Sequence, residues 1–264
     1  MRQAAHEAGM IDRLDSMRLR LCLELEASCL AAIKQKPLTC EAEGKKMMII
    51  DCAENTTEIA VYDVVSVEPN KLQEVAAPSG LSHGSAHVDD AFKEWLKKFL
   101  GQWLQNNKIS ESLVDIIMTI WETEKLRYGG QDGMRLNLSL LADLGMTTNS
   151  LENLRTSFNN GEPSSHHIGG KKFSVILPAT LVTSFFTPTL QKIAECLRRI
   201  KRESSLHSLH RVYVMGMFVR IPLVLEVVRT ELVQPGYSIV FVNEPDTVIV
   251  RGGVMFFDRS TVFN

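Results

Sequence analysis

The stretch Met47 to Val64, MMIIDCAENTTEIAVYDV, limits what this chain can fold into more than any other. An apolar run ends in a lone Asp51, a polar turn follows, and an alternating apolar segment leaves it. Short apolar and alternating runs around turn residues read as strands, so the stretch is two strands about a tight turn. Two features then need a physical reason. A carboxylate closes a buried strand, and the turn after it contains no glycine.

Elsewhere strand and helix patterns intermix. Arg2 to Gly9 reads as a helix with Gly9 at its end. LRLCLELE, Leu19 to Glu26, alternates strictly and predicts a half-buried strand, followed by a helix that stops near Pro37. Leu72 to Ala76 predicts a short strand and Pro78 to His83 a loop. His87 to Leu104 and Ile109 to Arg127 carry apolar residues at helical spacing. Met134 to Leu140 alternates as a strand, and Asn149 to Gly170 is a polar loop. Phe173 to Gln191 reads as a core strand running into a helix, the helix extending from Pro178 to Ile200. RVYVMGMFVRIP is a buried strand entering a glycine turn, with IPLVLEVVRTEL as the helix behind it. Tyr237 to Val242 is a strand, and a loop and helix follow. Hairpins and crossovers together mean an α/β fold with a mixed sheet.

The 264 residues suffice for one large domain or two lobes with a real core. Net charge is −2, which gives no basic field for nucleic acid or acidic lipid. The opening MRQAAHEAGMIDR lacks the apolar core of a signal peptide, so a cytoplasmic protein without a membrane anchor is expected. Five cysteines, with no CxxC, read as buried free thiols. The histidine pairs His83/His87, His166/His167 and His207/His210 have no Cys or carboxylate partner at metal-site spacing.

Several segments occur in an order that resembles one family. Asp51-Cys52-Ala53-Glu54-Asn55-Thr56-Thr57-Glu58 stands where that family has D-x-G-G-G-T-x-D. Gly84-Ser85-Ala86-His87-Val88-Asp89-Asp90-Ala91-Phe92 resembles G-S-x-x-V-D-x-x-F, and Glu122 to Lys125 matches E-x-x-K. Val214 to Pro222 resembles the adenosine turn V-G-G-x-x-R-x-P. Pro245 to Val254 resembles P-D-x-A-V-x-x-G-A, and Glu24 to Ser28 resembles E-P-x-A-A. The chain is thus similar to the later part of the ATPase domain of the seventy-kilodalton heat-shock chaperones. It is most similar to their divergent heat shock 70 kDa protein 12 branch.

The resemblance implies an actin-like, ribonuclease-H-like fold, mostly its second lobe, with lobe one incomplete. Residues 1–41 would end lobe one. Residues 42–243 would form lobe two, with 84–180 as its outer subdomain, and 244–264 would return toward lobe one. By the resemblance, the earlier phosphate hairpin and the lysine beside the reacting phosphoryl group would lie before the matched region, and no peptide-binding domain is expected after it. Asp143 to Thr148 is superficially like that first hairpin but stands after the second one. ATP or ADP would be the ligand, with a magnesium ion held through water by Asp51. Asp51, Thr56 and Glu24 would be the residues of hydrolysis. Ala53, Glu54, Asn55, Thr56 and Gly84 would line the phosphates. Glu122 and Lys125 would bond the ribose, Arg220 would lie on the adenine, and Gly216, Met217 and Asp246 would frame it. Client proteins or co-chaperones would be the partners.

The turn departs from that pattern. Asn55 tolerates a left-handed backbone better than most residues. Glu54 is the larger offence, since a carboxylate about 4 Å from one phosphate charge costs about 1 to 4 kcal/mol. Summed over a triphosphate, that would offset micromolar binding of about 8 kcal/mol. A rotamer turned to solvent would relieve part of it. Met217 replaces the second glycine of the adenosine turn and would crowd the base. Weak nucleotide binding with hydrolysis impaired or lost is therefore expected.

Plainer readings stand beside these. Asp51 caps a turn, Glu122 and Lys125 form a solvated i, i+3 ion pair, and the lobe survives as a non-enzymatic interaction scaffold. Arg220 lies in an apolar run, where an unpaired guanidinium is costly to bury. A third reading takes GLSHG, Gly80 to Gly84, as a nucleophile elbow with Ser82 attacking an acyl carbon. Pro78 and Ser79 break the strand that an elbow requires.

Overall fold

The computed structural model describes residues 1–75, 79–107, 111–138, 174–203, 208–233, 236–258 and 263. The expected polar loop Asn149 to Gly170, Asp143 to Thr148 and the pair His166/His167 lie outside them.

Eight strands and seven helices alternate along the described chain. The strands are β1 (Lys46–Cys52), β2 (Thr57–Val67), β3 (Asn70–Glu74), β4 (Ser79–Leu81), β5 (Met134–Asn137), β6 (Ser174–Leu177), β7 (Leu209–Met215) and β8 (Ser238–Phe241). The helices are α1 (Arg2–Glu7), α2 (Glu24–Gln35), α3 (Ser85–Asn107), α4 (Glu111–Lys125), α5 (Ala179–Glu203), α6 (Pro222–Leu232) and α7 (Val248–Asp258). Six strands form one sheet in the order β3-β2-β1-β7-β8, with β4 paired to β2 beside β3. β1 runs antiparallel to β2 and parallel to β7, and β7 runs parallel to β8. The sheet is therefore mixed and the fold α/β, as the interleaved patterns predict. β5 and β6 form a separate two-stranded ladder.

The two-residue period of a strand divides the interior into two cores. Met48, Ile50, Ile59, Val61, Val212 and Val214 face α3, α4, α5 and α6. Met47, Ile49, Ala60, Tyr62, Tyr213 and Met215 face α2 and α7. Helices α2 and α7 cross so closely that a Cβ on Gly252 would come within 1.7 Å of the Ala27 carbonyl oxygen. They thus pack together on one face of the central sheet.

Several expectations need correction. LRLCLELE is not a strand: α2 begins at Glu24, and residues 19–23 have no regular structure. The alternation is real, but Glu24 and Glu26 fall in the first turn of a helix, where carboxylates suit the free N–H groups. Glu26 Oε2 accepts the Leu23 N–H at 3.2 Å. The loop expected at Pro78 to His83 holds β4, a strand too short to show a period. Three cysteines, Cys29, Cys52 and Cys196, are buried free thiols, whereas Cys22 and Cys40 are exposed.

Candidate functional site

Asp51 ends the central strand. It sits opposite Glu58 on β2 and opposite Met215 on β7. The strand period turns it to the α2 face, toward the Glu24 end of that helix. Its side chain is only 8% exposed and takes no hydrogen bond from any described residue. Burial, then the carboxylates of Glu58 and Glu24, push its pKa up to about 6. Burial and the Asp51 charge beside it push the Cys52 thiol up to about 12, so it is no nucleophile.

Gly216 closes over this strand end. Its φ is +98°, and a Cβ there would lie 2.1 Å from the Cys52 carbonyl oxygen and 2.7 Å from Asp51 Oδ1. Glycine is required on both counts.

The turn, residues 53–56, answers why it can do without glycine. The Ala53 N–H donates to the Thr56 carbonyl at 2.9 Å, and none of the four residues has a positive φ. Asn55 does not use the left-handed region expected for it. The turn leans on the start of α3: the Ser85 and Ala86 N–H groups donate to the Ala53 and Glu54 carbonyls at 3.4 and 2.9 Å. A Cβ on Gly84 would strike the Glu54 carbonyl oxygen at 2.3 Å. Thr57 Oγ1 donates to the His83 carbonyl at 2.9 Å and ties the same two segments. Glu54 and Asn55 are exposed. The N–H groups of Glu54, Asn55 and Thr56 bond to nothing among the described residues.

The other end of the neighbourhood begins at Gly216. Met217 is 38% exposed, and a 3-10 turn, Phe218–Arg220, buries Phe218 and Val219. Arg220 is exposed and has no partner among the described residues. The cost of burying it, raised by its apolar sequence context, therefore does not arise. Pro222 then opens α6, and the Leu223 N–H donates to the Tyr128 carbonyl at 3.1 Å. That bond joins the segment after Arg220 to the segment after Lys125.

Lys125 itself does not face a cleft. It is 5% exposed and gives Nζ to both oxygens of Asp89 at 2.6 Å. Trp121 Nε1 donates to the same Asp89 at 2.7 Å, while its ring stacks on Phe92 at 4.1 Å. Glu122 is exposed and makes no ion pair with Lys125. The solvated pair read from the spacing is thus corrected: Lys125 turns inward to a half-buried carboxylate on α3. Asp246 lies exposed on the turn between β8 and α7, just after Glu244, whose φ is +52°.

The fold therefore gathers Asp51, Glu24, Thr56, Gly84 and Gly216 at one strand end, with Arg220 on the turn that leaves it. It withholds the Lys125 side chain. Glu58 and Asp89 have no role in the sequence reading. Glu58 was findable, because residues 51 and 58 are symmetric about a four-residue turn and must face each other. Asp89 was not, since its partners are 32 and 36 residues away.

Ser82 is exposed in the bend after β4 and gives no hydrogen bond to an imidazole. The nearby His83 and His87 rings stack on each other at 4.6 Å. No triad geometry surrounds Ser82 among the described residues. Among the described residues, no three His, Cys, Asp or Glu side chains are placed to hold a metal, and no helix is long and apolar enough to cross a membrane. Compared with known proteins, the chain matches no family model and no curated protein.

Proposed function

We propose that this chain is a divergent relative of the actin-like ATPase domain of seventy-kilodalton chaperones that binds adenine nucleotide weakly and hydrolyses it poorly or not at all. The observation that carries the reading is Asp51: a carboxylate at a buried strand end, 8% exposed and without a hydrogen-bond partner among the described residues, under a glycine turn that leads directly to an exposed arginine. A half-desolvated carboxylate beside two other acids is costly in a fold that serves packing alone. Phosphate-binding hairpins of the resembled family have an aspartate at this place, and the same turn carries the segment that resembles the adenosine turn.

The residues divide the work. Arg220 offers a planar cation to the purine face. Gly216 lets the ligand approach the backbone. The free N–H groups of Glu54, Asn55 and Thr56 offer donors to a phosphate oxygen. Asp51 alone would hold a magnesium ion, through water, and the ion when bound would screen the polyphosphate charge. Two features disfavour binding and hydrolysis. Glu54 adds a like charge beside the turn, and Lys125, which the resemblance would set on the ribose, is held by Asp89 instead. Phosphoryl transfer is mostly positioning plus charge stabilisation, and both are weakened here.

The scaffold reading has one observation in its favour. The Ser85 and Ala86 N–H groups at the start of α3 are bonded to the turn carbonyls. A thermal-shift titration with magnesium-ADP separates the two. Binding at millimolar ligand raises the midpoint by about 2 to 4 °C. Glu54→Gly tightens binding about fivefold, the effect of removing one like-charge contact in water. No shift for either protein leaves the scaffold reading, and weaker binding by Glu54→Gly refutes this account of the turn.

A further inference from the structure

We infer that the outward face of α7 docks a second copy of this chain, the two α7 helices lying antiparallel about a two-fold axis. Large apolar side chains are exposed unevenly over the molecule. Among the described residues thirteen are exposed, and nine of these belong to α7 or to residues 1–23. The two segments touch. The Arg20 guanidinium lies 4.9 Å from the centre of the Phe257 ring, and its Nη1 donates to the Phe257 carbonyl at 2.6 Å. Arg2 donates to the Leu14, Ser16 and Leu19 carbonyls and so holds the N-terminal arm together beside that contact.

Helix α7 is apolar on two sides. Val248, Ile249, Met255 and Phe256 pack into the core shared with α2. Val250, Val254 and Phe257 recur at i, i+4 and i+7 on the other side and are 70%, 68% and 55% exposed. A helix apolar all round normally has both sides covered.

Area, charge and symmetry name the occupant. At about 100 Å² for each exposed side chain, the nine present about 900 Å². That exceeds the roughly 300–600 Å² of the largest patch on a typical monomer and meets the roughly 800 Å² that each partner buries in a standard interface. A lipid surface selects helices with rows of Lys and Arg. Arg251 is the one cation of α7, and it is paired with Glu244. The stripe is also its own complement. Val250 and Phe257 lie equally far along the chain from the point between Gly253 and Val254. A two-fold axis through that point sets Phe257 of one copy against Val250 of the other, large against small, as an isologous contact requires. Gly253 then lies at the crossing. In the single chain a Cβ there would meet nothing within 4 Å, and its φ is not positive, so the fold itself does not call for glycine. Close approach of a second helix does.

Sedimentation equilibrium of the full chain from about 1 to 100 μM tests this, since the weakest interfaces of this size dissociate in the micromolar range. A reversible monomer–dimer equilibrium is expected. Val254→Glu sets two like charges together at the axis and weakens association at least about a hundredfold. Val233→Glu, equally exposed but just after α6, leaves association unchanged. Gly253→Ala guards against a variant that merely misfolds. It meets open space in the single chain and favours the helix, so weaker association with an unchanged or raised unfolding midpoint comes from the interface alone. A monomer throughout, whether or not it binds anionic lipid vesicles, overturns the inference. So does assembly beyond the dimer, or a dimer that Val254→Glu and Gly253→Ala both leave intact.

Discussion

Asp51 and Lys125 are both charged and both buried, at 8% and 5% exposure, yet the molecule treats them oppositely. Lys125 is fully answered: Asp89 takes two of its bonds and is itself fixed by Trp121. Asp51 is not answered at all among the described residues, and its neighbours are acids. A charge that folding has paired belongs to the architecture. A charge that folding has buried and left alone is held in place by its surroundings at a cost to stability, which is how binding sites are commonly built.

The largest effect should come from breaking the answered charge. Lys125→Met leaves Asp89 between two helices without its cation and is expected to cost about 3 to 5 kcal/mol in chemical denaturation. A loss under 1 kcal/mol would mean the pair is merely superficial, and the contrast with Asp51 would dissolve.

Next in size is the unanswered charge. A carboxyl whose folded-state pKa stands near 6, above its ordinary 3.8, destabilises the fold while ionised. At neutral pH and above that amounts to about 3 kcal/mol. As pH falls from 6 toward 4 the folded protein takes up the proton first, so this contribution makes the fold more stable. Below 4 both states are protonated and nothing more is gained. Asp51→Asn should therefore stabilise the protein at pH 8 and remove the rise between pH 6 and 4. Denaturation midpoints for both proteins across that range decide it. Lower stability of Asp51→Asn at pH 8 would show that Asp51 has a favourable partner after all.

The smallest effect sharpens the comparison from the other side. Glu122→Ala should change stability by less than about 0.5 kcal/mol, because Glu122 is exposed and Lys125 is engaged elsewhere. A cost approaching that of Lys125→Met would restore the ion pair the spacing suggests.

How far the molecule was legible varied with the reach of the interaction. The hairpin from Met47 to Val64 was readable because both strands carry their own period and the turn is short. The helices α3, α4 and α5 declared themselves by apolar spacing in the same way. LRLCLELE misled because a two-residue alternation over eight positions competes with the helix-favouring run behind it, and the first helical turn absorbed Glu24 and Glu26. At the site, Asp51, Gly84 and Gly216 were legible as a motif. Glu58 followed from cross-strand symmetry that the motif alone did not exploit. Arg220 could be named but its exposure could not, since an apolar run does not say which of its members lies at a turn.

The amino-acid order by itself determined where the apolar periods lie, and so the α/β class, the central buried strand and the acid at its end. These follow from backbone sterics acting over a few residues. The tertiary structure alone decided which charges found partners. It sent Lys125 inward to Asp89, set Glu24 and Glu58 around Asp51, and gave the start of α3 to the glycine-free turn. Pairing of this kind depends on segments far apart in the chain being brought within hydrogen-bonding reach, and that reach is set by packing rather than by local spacing.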